Sequence, residues 1–160
     1  MPRGKNPTLT DAAAFGLFSS SALIAQLNVK DLWHKKANTI SDYIERTDRK
    51  VILPAEVLAE TLNRIGNNIG RQEAVLAGTA LLERNETGDV LITHSNTDIL
   101  SATLTLLNSV QEPQDKRTSF VDCLVMATAN FYDTHEIFGF DAVFGKNGFQ
   151  LPGKAEKQAA

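Results

Sequence analysis

The fold of this chain is decided by residues 118–141, which have the sequence TSFVDCLVMATANFYDTHEIFGFD. Ten of the fourteen residues from 119 to 132 are apolar, so a helix here has no continuous polar face and is predicted to be largely buried. Residues 136–140 then predict a short buried strand. One acid, Asp122, lies in the first turn of the helix, and another, Asp141, ends the strand. Two carboxylates carried by buried elements indicate a site.

Each of these acids also has a purely structural interpretation. Ser119 and Asp122 have the spacing of a capping box, in which two side chains satisfy free N–H groups at a helix start. Asp141 can shape the turn after the strand. A carboxylate beside a core is costly unless a hydrogen bond or a positive charge compensates it, and a helix N-terminus supplies part of that compensation. This stretch alone leaves both interpretations open.

Composition restricts the class of protein. The 160 residues suit one domain, and nineteen acids against sixteen Lys and Arg give a net charge of −3. No global positive field therefore indicates a nucleic-acid partner, although a local patch or a bound metal can serve the same purpose. The single cysteine, Cys123, falls in the buried helix and is predicted to be a packed thiol rather than a nucleophile. No histidine has a Cys or His neighbour at the spacing of zinc ligands, so a zinc site is not expected.

The order of elements predicts an α/β fold. Short apolar strands are predicted at residues 13–18, 51–53, 90–93, 136–140 and 149–151, and they alternate with helices at residues 22–28, 30–47, 54–65, 71–84, 96–108 and 119–132. This alternation predicts a three-layer α/β/α sandwich with a central parallel sheet of about five strands. Residues 13–151 are expected to form the domain, flanked by flexible segments at residues 1–12 and 152–160. Ligands of such sheets bind beyond the carboxyl ends of the strands.

The apolar run at residues 12–25 follows two basic residues, as in a signal peptide. It is too short to span a bilayer and contains three serines. It also supplies the first predicted strand. We therefore expect no membrane segment and a cytoplasmic protein.

Four motifs in this order resemble those of the PIN domain, the fold of the VapC-type toxin ribonucleases. They are SSALIA at residues 20–25 with Asn28 and Trp33-His34, PAEVLAE at residues 54–60, SFVDCL at residues 119–124, and IFGFD at residues 137–141 with Phe144 and Gly148. The resemblance covers about residues 13–151. Its specificity comes from the order and spacing of the motifs rather than from any one of them.

The resemblance implies a PIN-like ribonuclease that uses Mg²⁺ or Mn²⁺, with Glu60, Asp122 and Asp141 as the catalytic and metal-binding acids. Hard divalent cations prefer oxygen ligands, and such an ion lowers the pKa of a bound water and neutralises charge on a phosphate. The resemblance further implies an RNA substrate, an antitoxin protein as partner, and a homodimer. Twofold dimers are the commonest soluble assemblies, and the expected interface consists of the first two long helices, with Leu32 and Trp33.

The chain departs from the family pattern at Ser19, which stands where the family has its first acid. A serine hydroxyl can offer an oxygen to a metal but no charge, so we expect weak metal binding there. Asp11 is the nearest alternative acid, but aligning it would displace every downstream motif by eight residues. Gly139 likewise replaces a hydroxyl residue that supports the last acid in the family.

Three hypotheses follow. The first is a metal-dependent PIN-type ribonuclease, the toxin of a toxin–antitoxin pair. The second is a catalytically weak or inactive PIN-like domain that binds RNA or a protein, because Ser19 replaces the first acid. The third is an α/β binding module with incidental carboxylates, in which Glu60 only pairs with Arg64 four residues later. The basic pair Lys116-Arg117 either holds a phosphate backbone or faces solvent.

Overall fold

A computed structural model describes residues 15–114 and 116–152. Within these ranges four parallel strands form one sheet in the order β3-β2-β1-β4, with bounds Phe15–Phe18 (β1), Lys50–Pro54 (β2), Val90–Thr93 (β3) and Ile137–Phe138 (β4). The helices that flank it are Ser20–Leu27 (α1), His34–Thr47 (α2), Ala55–Asn68 (α3), Arg71–Thr87 (α4), Thr97–Ser109 (α5), Phe120–Phe131 (α6) and Ala142–Lys146 (α7). The predicted α/β fold is confirmed. The segments at residues 1–12 and 153–160, with Asp11, lie outside the described residues.

The sheet of the described ranges has four strands, and the prediction of about five was wrong. The expected last strand makes only one isolated parallel bridge, between Glu136 and Gln150. Its neighbour β4 is itself only two residues long, so the sheet offers a short edge for pairing. Pro152 follows the bridge without a backbone N–H, which removes a donor that a longer ladder would use.

The other differences lie at element ends. The second helix begins four residues later than predicted, because residues before it form side-chain-stabilised turns: the Lys30 N–H donates to Asn28 Oδ1 (3.1 Å) and the Trp33 N–H donates to Asp31 Oδ1 (2.8 Å). The helix α7 was not predicted, because five residues are too few to show a helical period.

The core packs the sheet against α6 and against buried residues of α1, α2, α3 and α4. Every residue of α6 from Cys123 to Ala129 is buried, which confirms the prediction made from its missing polar face. Phe138 of β4 is also fully buried, and its ring contacts those of Phe18 and Tyr43 at centroid distances of 5.4 and 6.4 Å. Phe138 therefore ties β4 to β1 and to α2.

Gly16 makes this close packing possible. A Cβ atom at position 16 would lie 2.4 Å from Cζ of Phe138, far inside van der Waals contact. The ring thus occupies the space where any other residue on β1 would place its side chain. The glycine and the phenylalanine together set the position of β4 against β1.

We expect Gly16→Ala to lower the free energy of unfolding by about 1–3 kcal/mol, the usual cost of inserting a methyl group into a packed core. Urea denaturation followed by circular dichroism measures this change. Gly66→Ala is the matched control, because its Cβ would meet Ala74 at an ordinary 3.7 Å within α3. It should leave stability unchanged or raise it by up to about 1 kcal/mol. Equal midpoints for Gly16→Ala and the parent chain would contradict the packing described above.

Candidate functional site

The candidate residues lie at the carboxyl edge of the sheet. Ser19 directly follows β1, and Asp141 follows β4. Asp122 is in the first turn of α6, whose far end leads into the start of β4, so its N-terminus lies at the edge where strands end. A hydrogen bond from Ser20 Oγ to Glu60 Oε1 (3.1 Å) brings Glu60 to the same edge.

Asp122 forms the capping box that its spacing predicts. The Asp122 N–H donates to Ser119 Oγ (3.1 Å), and the Ser119 N–H donates to Asp122 Oδ2 (3.3 Å). The carboxylate also lies at the positive end of the dipole of α6. The structural interpretation is therefore confirmed, and the cap uses one of the two carboxylate oxygens.

Asp141 is almost enclosed, with a side chain that is 9% exposed. Its Oδ1 accepts the N–H of Val143 (3.2 Å), so it caps α7, and its Oδ2 pairs with Nζ of Lys116. The lysine is 60% exposed. A carboxylate with so little access to water is costly unless such a cation or hydrogen bonds compensate it. Asp141 thus has both the predicted turn role and an ion-pair partner from the basic segment before α6.

Glu60 is held by two neighbours. Its Oε1 accepts a hydrogen bond from Ser20, as described above, and also pairs with a guanidinium nitrogen of Arg64 at 3.1 Å. The pair with Arg64, one turn later on α3, confirms the structural alternative for Glu60. The Arg64 side chain is 54% exposed, and ion pairs with such exposed partners contribute at most about 1 kcal/mol.

Ser19 is fully buried between the ends of β1 and β4. Its Oγ accepts the N–H of Ala22 (3.4 Å) at the start of α1, and its own N–H donates to the carbonyl of Phe138 (3.1 Å). A Cβ at Gly139 would lie 2.8 Å from Ser19 Oγ. The two residues that depart from the family pattern therefore touch each other, a relation that the sequence does not reveal.

A cavity of about 380 Å³ opens at this edge beside Asp141. The side chains that give it chemical character are two acids, two cations and two aromatic rings: Asp31, Asp141, Arg64, Lys116, Trp33 and Phe140. Of the three predicted acids, Asp141 lines the cavity directly and Glu60 is connected to it through its ion pair with Arg64, whereas Asp122 does not line it. Asp31 and Phe140 are not predicted from the sequence as site residues.

The three acids suit Mg²⁺ or Mn²⁺ in donor type, because such ions take carboxylate oxygens and water. Each carboxylate nevertheless has its own partner, and in residues 15–114 and 116–152 no three His, Cys, Asp or Glu side chains are grouped so as to hold a metal ion. Loading an ion would therefore require Asp141 to exchange Lys116 for it. The assignment of Glu60, Asp122, Asp141 and Ser19 as metal ligands stays a prediction.

One further buried acid serves a different purpose. Glu136 precedes β4, at the opposite end of the sheet, and accepts hydrogen bonds from Tyr43 (2.7 Å) and Arg49 (3.0 Å). Burial, and next the hydrogen bond to Glu136, raise the pKa of Tyr43. This cluster fixes α2 against the sheet and lies away from the candidate site.

Within the described part of the chain, no helix has the length and apolarity needed to cross a membrane.

The described residues form an α/β domain in which a four-stranded parallel sheet is flanked by helices and carries acids at its carboxyl edge. No protein-family model and no curated protein sequence matches the chain. Among solved structures it is similar to VapC20 of Mycobacterium tuberculosis, a sarcin–ricin loop cleaving toxin, with a TM-score of 0.68 and 22% sequence identity over 84% of this chain and 95% of the VapC20 chain. The likeness establishes the shared fold, which agrees with the fold implied by the four motifs.

We expect Cys123 to be unreactive in the folded protein. Burial first, and then the negative charges of Asp122 and Glu112, raise the pKa of its thiol from 9.0 to about 11. At pH 8 only about one thiol in a thousand is then ionised, and only the thiolate is nucleophilic. Iodoacetamide labelling followed by mass spectrometry should run at least about a hundredfold slower in the folded protein than in urea. Equal rates in the two states would contradict the buried placement of Cys123.

Proposed function

We propose that this chain is a metal-dependent ribonuclease of PIN type and the toxin of a toxin–antitoxin pair. The observation that supports the proposal is the placement of Asp122, Asp141 and Glu60 at the carboxyl edge of a fold shared with a toxin that cleaves the sarcin–ricin loop. Ligands of parallel α/β sheets bind at this edge. The substrate class is RNA, and the partner class is an antitoxin protein.

In this mechanism Asp141 and Asp122 would hold Mg²⁺ or Mn²⁺, and Glu60 would support them from α3. Such an ion, when bound, would supply a water of lowered pKa and positive charge to balance the charge that develops on the phosphate. The chain itself supplies positively charged groups that orient RNA. They are the N-terminus of α6 and the side chains of Lys116 and Arg64, which line the cavity. These local cations explain how a chain of net charge −3 can approach a polyanion.

A second candidate function is RNA or protein binding without cleavage. The observation that favours it is Ser19, which brings no charge and is fully buried as the N-cap of α1. With the first acid absent, the remaining acids are balanced by Lys116, Arg64 and the helix caps. Titration of the purified protein with Mg²⁺ and Mn²⁺, in parallel with an RNA cleavage assay, separates the two candidates.

The homodimer stays a prediction. Its expected interface includes Leu32 and Trp33, which precede α2 and are 97% and 47% exposed. Exposed apolar side chains of this size are typical of a binding surface, but they do not identify the partner.

We expect Asp141→Asn and Asp122→Asn each to lower metal-dependent RNA cleavage by about a hundredfold or more, since each removes a charged ligand and even indirect supports of a metal are worth 10- to 100-fold. Asparagine caps helices as well as aspartate does, so α7 should keep its start in Asp141→Asn, and α6 keeps its N-cap, Ser119, in Asp122→Asn. Asp98→Asn is the matched control, because Asp98 is an exposed acid in the first turn of α5, outside the proposed site. Full cleavage by Asp141→Asn would contradict the proposal, and RNA binding without cleavage by the parent chain would favour the second candidate.

We expect Ser19→Asp to tighten Mg²⁺ binding by about tenfold or more and to raise cleavage with it, because a carboxylate adds both a charge and a ligand. Without metal the variant should be less stable, since it crowds like charges, and Mg²⁺ should restore its stability. Isothermal titration calorimetry and thermal unfolding with and without Mg²⁺ measure both effects.

Ser101→Asp, on the exposed surface of α5, controls for the added charge and should change neither quantity. If Ser19→Asp leaves metal affinity and cleavage unchanged, Ser19 does not belong to the metal site. Asp11, which lies outside the described residues, would then be the next acid to test.

A further inference from the structure

The cavity beside Asp141 contains an aromatic surface that the proposed chemistry does not use. Trp33 lines this cavity and is 47% exposed. Its ring stacks on the ring of Phe140, with 5.6 Å between the centroids and 23° between the planes. Phe140 is the residue before Asp141, which also lines the cavity, so the indole lies close to this candidate acid. A large apolar ring left in water at such a place needs a function or a partner.

The indole is held in a fixed position. The Trp33 N–H of the backbone donates to Asp31 Oδ1 (2.8 Å), and α2 begins at the next residue. Nζ of Lys36 lies 4.1 Å from the centroid of the ring, within the range of a cation–π contact. The backbone hydrogen bond and the stacking on Phe140 therefore preorganise the ring, and a flat ligand that stacks on it takes the place of the Lys36 ammonium over the ring.

The same cavity carries positive charge for a phosphate. Arg64 and Lys116 both line it, and more than half of each side chain surface is exposed. A guanidinium has five N–H donors, and the ion pair described for Arg64 joins one of its nitrogens to Glu60. Each of these cations carries several N–H donors, so a phosphate can share the cation with its carboxylate.

We propose that Trp33 is the stacking platform for one unpaired RNA base, with Lys116 and Arg64 holding the phosphates beside it. Aromatic rings that stack bases, combined with cations along the backbone, are how proteins bind single strands. The cavity volume of about 380 Å³ is in the range of small-molecule sites and suits one nucleotide. This proposal rests on the proposed ribonuclease function, in which RNA is the substrate, and makes that substrate more specific. The RNA must present a loop, bulge or end with a base that is free to leave its stack.

The first experiment uses the indole as its own reporter, because Trp33 is the single tryptophan of the chain. A 2′-O-methyl oligonucleotide of mixed sequence, which lacks the free 2′-hydroxyls, is titrated in EDTA at fixed salt while tryptophan fluorescence is recorded. A base stacked on Trp33 should quench the emission in a saturable way. An abasic oligonucleotide of equal length keeps the phosphates and should leave the emission unchanged while binding about tenfold more weakly.

The second experiment compares variants by fluorescence anisotropy of the same oligonucleotide carrying a dye. Trp33→Ala should weaken binding by about tenfold, and Trp33→Phe should recover most of the loss because it keeps a ring. Leu32→Ala is the matched control: Leu32 is the neighbouring exposed apolar residue and does not line the cavity. Its affinity for the oligonucleotide should equal that of the parent chain.

The outcomes separate this proposal from the function on which it rests. If the oligonucleotide binds but neither quenches Trp33 nor is weakened by Trp33→Ala, the stacking platform is wrong, while cleavage by the parent chain would leave the ribonuclease proposal intact. If Trp33→Ala and Leu32→Ala both turn a dimer into a monomer in sedimentation and leave RNA affinity unchanged, this surface is a protein interface and the proposal is overturned. Failure of the parent chain both to bind and to cleave RNA would overturn the two proposals together.

Discussion

The packing of Phe138 against Gly16 is the contact on which the site depends. The strand that carries Phe138 has two residues and pairs with β1 over only Leu17 and Phe18, so its backbone hydrogen bonds alone hold it weakly. The buried ring supplies the remaining attachment. Three residues beyond it the chain reaches Asp141, so any shift of the ring would move the acid and the cavity beside it.

Charge balance at the carboxyl edge follows from unequal burial. The carboxylate of Asp141 has little access to water, so it requires a partner at all times, whereas its partner Lys116 is mostly in solvent. The same asymmetry holds, less strongly, for Glu60 and Arg64. An acid that is enclosed and a cation that is exposed form a pair in which the cation is the exchangeable member. This arrangement suits an edge that has to receive other charged groups, whether metal ion or phosphate.

Ser19 and Gly139 are explained together rather than separately. Because a side chain at position 139 would meet the hydroxyl of Ser19, the two positions compete for one small space between β1 and β4. The contact joins the ends of the two strands that carry the first and last motifs. It also means that the absence of a side chain at position 139 leaves the space that the Ser19 hydroxyl occupies.

Most of the features that could be predicted from the sequence were predicted from local patterns of residues. The alternating apolar runs gave the parallel α/β fold and both ends of β3, the missing polar face gave the buried α6, and residue spacing gave the capping box of Asp122 and the pair of Glu60 with Arg64. These features depend on residues within one or two turns of each other. Only the tertiary structure decided the reduction of the fifth strand to one bridge, the pairing of Asp141 with Lys116, and the stacking of Trp33 on Phe140. Those contacts join residues that are distant along the chain, and their geometry is fixed by how the whole sheet packs rather than by any local pattern.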